Sequence, residues 1–348
     1  MKFIAGAFLI GLSMASAAWA QGKMTTEQLA AYNKPDREKV LYAGAKAEGK
    51  ITWYTSLAGE SYKKLAAAFE ARYPGVAVES YRATRQEMSA RILAESQSKR
   101  YIADTMETTI PLLKLLKDYH LLVPYYFPTQ AKYPDHVKEK APKGLVFWAI
   151  DRESHIGVAY NKNMIPAKLA PRNYEGLLRP ELKDKIAFAG SDTGVTVTGA
   201  MLKFRGEEYV KKLKNQNIAI HNVSGRALLD MVISGEVGLS PTAFRNHVEV
   251  SLKVNAPIEW IPMDVVPANS GSTAVSAQAP HPHAALLLAD FILGQGGQKV
   301  LEDYEYGAPT KEYGFKRWYP EQGLTTEQYE KLDEKWNKTM RELSRKAF

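Results

Sequence analysis

Short apolar runs alternate along this chain with stretches whose apolar residues recur at three- and four-residue steps, the mark of strands alternating with helices. Ile51-Thr52-Trp53-Tyr54-Thr55 reads as a buried strand. Gly49 before it ends a helix expected over 35–48. Leu65 and Phe69 mark the inner face of a helix expected over 60–72, and Pro74-Gly75 turns the chain into a strand at 76–81. Thr84-Arg85-Gln86-Glu87 is a capping box, opening a helix with Met88, Ile92 and Leu93 inward. A third strand is expected at 102–105 and a helix at 111–117. This alternation predicts a parallel α/β sheet. Ligands of such sheets bind beyond the carboxyl ends of the strands, where loops and helix N-termini meet. Ser56, Arg82, Thr84 and Thr108 stand at those junctions.

Residues 120–146, rich in Tyr, Pro and Lys, read as irregular. A second α/β region follows, with strands expected at 145–150, 156–160, 185–189, 218–223, 237–240 and 258–262. Gly190-Ser191-Asp192-Thr193-Gly194 leads into one helix, and Ser224 caps another over 226–233. Further on, the Pro-punctuated loop 279–283 feeds an apolar helix that stops at glycines. Thr25-Thr26-Glu27-Gln28 and Thr325-Thr326-Glu327-Gln328 are further capping boxes. After the second, Tyr329, Leu332, Trp336, Met340 and Leu343 form a stripe that reads as a face docked on the protein's own core.

Lys2 is the only charge before residue 23, an apolar run follows it, and Ala18-Trp19-Ala20 is an A-x-A site. Residues 1–20 therefore read as a secretory signal peptide cleaved after Ala20, with 21–47 a helical extension of a periplasmic chain. There are no cysteines, which excludes disulfides, thiol catalysis and Cys-ligated metals; stability must come from buried cores. A length of 348 residues suits two domains. The formal charge of +8 fits an anionic ligand, but the basic residues are scattered and no nucleic-acid motif is present. Nor is there a G-x-S-x-G elbow, an H-E-x-x-H or a Walker A sequence, so nothing points to an enzyme. His281 and His283 lack accompanying carboxylates in sequence; no metal or other cofactor is expected.

Five segments, in order, resemble the type II periplasmic solute-binding proteins of ABC importers, in the class serving ferric iron, thiamine and sugar phosphates. They are Ile51–Ser56, Val158-Ala159-Tyr160-Asn161, Leu182–Ala187, Ser234-Gly235-Glu236 with Gly238-Leu239, and Ala279-Pro280-His281-Pro282-His283-Ala284-Ala285 running to Gln298. The resemblance implies a two-lobed α/β fold with a hinge and an interlobe cleft. It divides the chain into 48–150 with 264–310 as one lobe and 151–263 with 311–348 as the other. It also implies a monomer that closes on a small solute and docks on permease subunits at the inner membrane.

Ferric members of that class carry adjacent tyrosines soon after the Gly-Leu strand. Here Ala243-Phe244-Arg245 stands in that place, and neither phenylalanine nor arginine ligates a hard cation. A guanidinium binds carboxylate or phosphate instead. Arg245, the anion-friendly loop and helix start of Ser191, Thr193, Gly194 and Thr196, and Arg82 beside Thr84 describe a cleft for a small organic anion. Trp148 is a candidate stacking wall. Thr84 is equally explained as a helix cap, and Trp148 as core. Ferric-iron binding at relocated tyrosines, and ligand sensing for a membrane receptor, are the alternative functions.

Overall fold

A computed structural model describes residues 24–344; the leader expected over 1–20 and its cleavage site lie outside the described residues. The first part of the chain comprises helices α1 (Thr26–Ala30) and α2 (Arg37–Glu48), strand β1 (Lys50–Thr55), α3 (Ser61–Arg72), β2 (Ala77–Arg82), α4 (Arg85–Gln97), β3 (Thr105–Thr109) and α5 (Ile110–Asp118). The short strands β4 (Leu122–Val123) and β5 (Lys138–Lys140) lead to the long β6 (Val146–Asn161). Next come β7 (Ala187–Ala189), α6 (Asp192–Leu213), β8 (Ala219–His221), α7 (Gly225–Ser234), β9 (Leu239–Phe244), α8 (Arg245–Leu252) and β10 (Ile258–Ile261). The chain returns through β11 (Val266–Ser276), then α9 (Pro282–Leu293), α10 (Gln295–Asp303), β12 (Arg317–Trp318) and α11 (Thr326–Leu343).

The capping boxes at Thr25, Thr84 and Thr325 all form, and Ser224 caps α7. Each satisfies backbone N–H groups that a helix start leaves unpaired. β1 pairs in parallel with β2 and β3, as the alternation requires. Beyond β3 the sheet turns antiparallel: β11 pairs with β3, β6 with β11, and β9 and β10 with β6. Thus one mixed sheet, not a purely parallel one, runs through the molecule.

Two strands expected at 145–150 and 156–160 are the single strand β6. Its middle, Asp151-Arg152-Glu153-Ser154-His155, looks like a loop in sequence but is buried throughout. Ion pairs of Arg152 with Glu107 and of Glu153 with Arg317, and a 2.7 Å hydrogen bond between His155 Nε2 and Glu153 Oε2, make that burial tolerable. β11 was not expected, because Asn269-Ser270-Gly271-Ser272-Thr273 lacks an apolar run. The third strand lies at 105–109, so Thr108 is inside it rather than after it. Gly294 ends α9, but α10 starts at once.

The apolar side chains form two principal clusters on either side of that polar stretch. One gathers residues before 151 with α9 and α10, including Trp53, Phe69, Leu113 and Leu286. The other gathers residues from 156 to 265 with Trp336, Met340 and Leu343 of α11. α11 also reaches α5, where Thr326 Oγ1 donates to Asp118 Oδ2 at 2.9 Å.

Candidate functional site

A cleft of about 830 Å³ opens between the two clusters. Four helices begin at its walls. Ala58, Gly59 and Glu60 precede α3; Ser191, Asp192 and Thr193 start α6; Ser224, Gly225 and Arg226 start α7; Phe244, Asn246 and His247 start α8. Asn269 of β11, with Tyr304 and Tyr306 after α10, completes the lining. Each start presents backbone N–H groups and the positive end of a helix dipole. A depression of similar size, about 860 Å³, is lined by the first cluster's side alone, among it Glu38, Arg72, Asp290 and Gly296, so lobe closure would not enclose it.

Of the residues singled out from sequence, Arg82, Ser191 and Thr193 line the cleft. Arg82 Nε donates to the Leu57 carbonyl at 3.4 Å, and among the described residues no carboxylate pairs with it within 4 Å. Thr84 is engaged as a cap, its Oγ1 accepting from Glu87 N at 3.3 Å, while neighbouring Gln86 reaches the cleft. Ser56 stands behind the wall, donating to Glu107 Oε2 at 3.2 Å and accepting from Arg152 Nη2 at 3.2 Å. Thr108 is fully buried opposite Ser272 on β11, and its Oγ1 has no hydrogen-bond partner among the described residues.

The remaining residues lie elsewhere. Trp148 is buried and borders a separate cavity of about 140 Å³ with Lys114 and Glu321. Gly194 seats α6: a Cβ there would lie 2.1 Å from the Ala189 carbonyl oxygen and 2.7 Å from Met340 Sδ. Thr196 is half-buried one turn along α6, outside the lining. Arg245 turns away from the cleft, with Nε 3.5 Å from Glu249 and its guanidinium 5.5 Å from the Tyr313 ring.

Sequence reasoning missed Asn246, His247, Asn269, Tyr304 and Tyr306. The start of α8, only a residue past the aligned Phe244-Arg245, was the available signal for the first two. It also missed the support beneath the cleft. Glu107 Oε2 accepts from Thr55 Oγ1 (2.7 Å), Ser56 N (3.0 Å) and Leu57 N (3.1 Å), while Oε1 pairs with Arg152 Nη2 at 3.0 Å. This carboxylate fixes the loop that leads to α3. A charged run between two apolar runs, at 151–155, was its trace in the sequence.

Of the charged side chains in the lining, Glu60, Asp192 and Arg226 have ion-pair partners, the last with Asp230 at 2.7 Å, and Arg82 has none among the described residues. Asp192 lies 3.8 Å from Arg85, and Glu60 pairs with Lys63 at 2.9 Å. Burial, and after it the charge of Arg226, lowers the His247 pKa to about 4, so its imidazole is neutral near pH 7. Ser191 Oγ, Asn246 Oδ1 and His247 Nδ1 are buried at the cleft without hydrogen-bond partners among the described residues. Among the described residues, no three His, Asp or Glu side chains converge as a metal cluster.

Two α/β lobes, a shared sheet and a cleft between them define a periplasmic-binding-protein type II fold. The chain belongs to the bacterial extracellular solute-binding protein family, which matches residues 107–327. It is thus an extracellular solute-binding protein by family. The fold is shared with the substrate-binding protein of an ABC transporter from Agrobacterium tumefaciens (TM-score 0.70, 15% identity, 84% of this chain and 94% of that one). Iron-bound HitA from Pseudomonas aeruginosa is also similar (TM-score 0.66, 19% identity, 84% and 99%). So is AfuA from Actinobacillus pleuropneumoniae with fructose-6-phosphate bound (TM-score 0.66, 20% identity, 84% and 99%). No curated protein matches the sequence.

Proposed function

We propose that this protein captures a small organic anion, a carboxylate or a phosphorylated solute, between its lobes in the periplasm and delivers it to an ABC permease. The observation that carries this reading is the convergence of four helix N-termini on one cleft. Each contributes a partial positive charge and free N–H donors, and an anion is the solute that uses both. Arg82 adds a full charge without a competing carboxylate among the described residues. The arrangement disfavours a polyamine, since Asp192 and Glu60 already have basic partners. Ferric iron is disfavoured where Phe244-Arg245 stands in place of the adjacent tyrosines that the resemblance implies for ferric members.

In this reading, 48–150 with 264–310 and 151–263 with 311–348 move as lobes about β6 and β11, and closure brings Arg82 toward Ser191. The Arg85–Asp192 contact, at 3.8 Å, already links α4 to α6 across the cleft. A thermal-shift series tests the proposal with aliphatic carboxylates, sugar phosphates, spermidine and ferric citrate. A ligand at a hundred times its Kd stabilises by about 2.7 kcal/mol. Anions are expected to raise the melting temperature, and Arg82→Gln with Ser191→Ala to abolish the rise. Stabilisation by ferric iron alone, with a visible tyrosinate band, would refute it.

A further inference from the structure

The polar frame of the cleft carries three half-buried aromatic rings that anion binding does not require. Phe244 comes from the second lobe, and Tyr304 and Tyr306 from the first. Two of them are braced. Phe244 meets His247 edge-on at 5.3 Å, and its Cε2 lies 3.5 Å from where a Cβ on Gly225 would stand. Tyr306 rests against the Arg152 guanidinium, 5.2 Å from its ring centre, and the Glu107 pair holds that guanidinium. Rings fixed before binding lose little freedom on contact, so they favour ligands with which they can stack.

Asn246 is 5% exposed and borders the same space with Oδ1 unpartnered. With its side-chain amide turned so that the NH2 faces the cleft, Asn246 donates to the head group beside the Ser191 hydroxyl and the helix starts. We infer that the solute is an aromatic acid: a planar ring held between Phe244 and the Tyr304–Tyr306 side, with its carboxylate or phosphate beside Ser191 and Asn246. This rests on the anion reading above and narrows it.

Matched probes separate the two ideas. Calorimetric titration of the full mature chain compares benzoate with cyclohexanecarboxylate, phenyl phosphate with cyclohexyl phosphate, and benzoate with benzamide. In at least one pair the aromatic acid is expected to bind about tenfold tighter than its saturated twin, the scale of lost ring contacts. Phe244→Leu should bring that advantage within about threefold while the saturated twin keeps its affinity; Tyr304→Leu serves if Phe244→Leu does not fold. Equal affinity of aromatic acid and saturated twin in both such pairs, or no binding by any aromatic acid, overturns the aromatic inference and leaves the anion reading to the aliphatic series. Benzamide binding as tightly as benzoate overturns the anionic head group itself.

Discussion

Replacing Glu107 by glutamine tests whether charge, rather than shape, holds the floor of the cleft. Glu107 is fully buried. One of its oxygens accepts from Thr55, Ser56 and Leu57, and the other pairs with Arg152, itself 6% exposed. Glutamine fills the same volume but offers one oxygen and one NH2. With its oxygen toward residues 55–57, the NH2 faces the guanidinium, donor against donor. Flipped, the NH2 faces the amides of Ser56 and Leu57. Either orientation leaves buried donors unsatisfied and the Arg152 charge uncompensated.

Breaking a buried pair this way costs about 3–5 kcal/mol. That is a large share of the roughly 5–15 kcal/mol typical of a folded chain. At about 2–4 °C per kcal/mol, the melting temperature should fall by roughly 6–20 °C. Arg152→Met should cost a similar amount, since it strands the carboxylate. The double variant removes both charges, and its loss should fall short of the sum of the singles by at least about 2 kcal/mol. Urea denaturation of the four proteins at neutral pH measures each term. Strict additivity, or a loss below about 1 kcal/mol for Glu107→Gln, would show that the pair does not hold the floor.

Gly271→Ala should destabilise by about 1–3 kcal/mol in the same denaturation assay, because its Cβ would fall 2.3 Å from Glu107 Oε1 and 2.7 Å from Arg152 Cζ, atoms fixed in the buried pair. Burial, then the Glu107 charge, raises the Asp151 pKa well above 3.8, so the folded chain keeps a proton that the unfolded chain releases. Stability from this group therefore falls as pH rises above 3.8, and Asp151→Asn should remove that slope at no cost near pH 7, as a pH series of melting temperatures would show. His247 acts in the opposite sense: the unfolded chain takes up a proton below 6.5 that the folded site refuses until about 4. Stability should drop by up to about 3 kcal/mol as pH falls through that window, and a His247→Gln protein that keeps the full drop would place its source elsewhere.

The helices were legible because their signals are local. Thr25, Thr84, Ser224 and Thr325 mark starts that form as read, since a cap needs only its own next turn. β1 and β2 were legible for the same reason, being bounded by Gly49 and Pro74-Gly75. β11 and the middle of β6 were not, because their pairing partners are distant in sequence. Ser272 is a strand residue because Thr108 and Ile150 flank it, and no window around 272 contains either. The cleft was legible to the depth of one turn. Ser191 and Thr193 reach it, whereas Thr196, a turn further along α6, does not. Arg245 shows the limit of aligning a position without its direction: Phe244 and Asn246 on either side of it line the cleft, and its own side chain turns to Tyr313 and Glu249.

The buried charges at 151–155 and the split between the apolar clusters are one feature. Apolar side chains at these positions would join Ile150 of the first cluster to Ile156 of the second and make one continuous core. Such a core resists relative motion, because sliding or bending it opens voids that nothing fills. Ion pairs and hydrogen bonds satisfy the burial without continuity: Arg152 is tied to Glu107 of the first side, while Glu153 is tied to Arg317 and Tyr319 of the returning tail. The strand therefore keeps its ladder to β11 across the junction while its side chains belong to separate networks. Arg152 also braces Tyr306 in the cleft wall, so the network at the junction also shapes the surface of the cleft. Junction and site are coupled by one guanidinium, which is why a sequence window that read 151–155 as a break between strands missed the floor of the cleft as well.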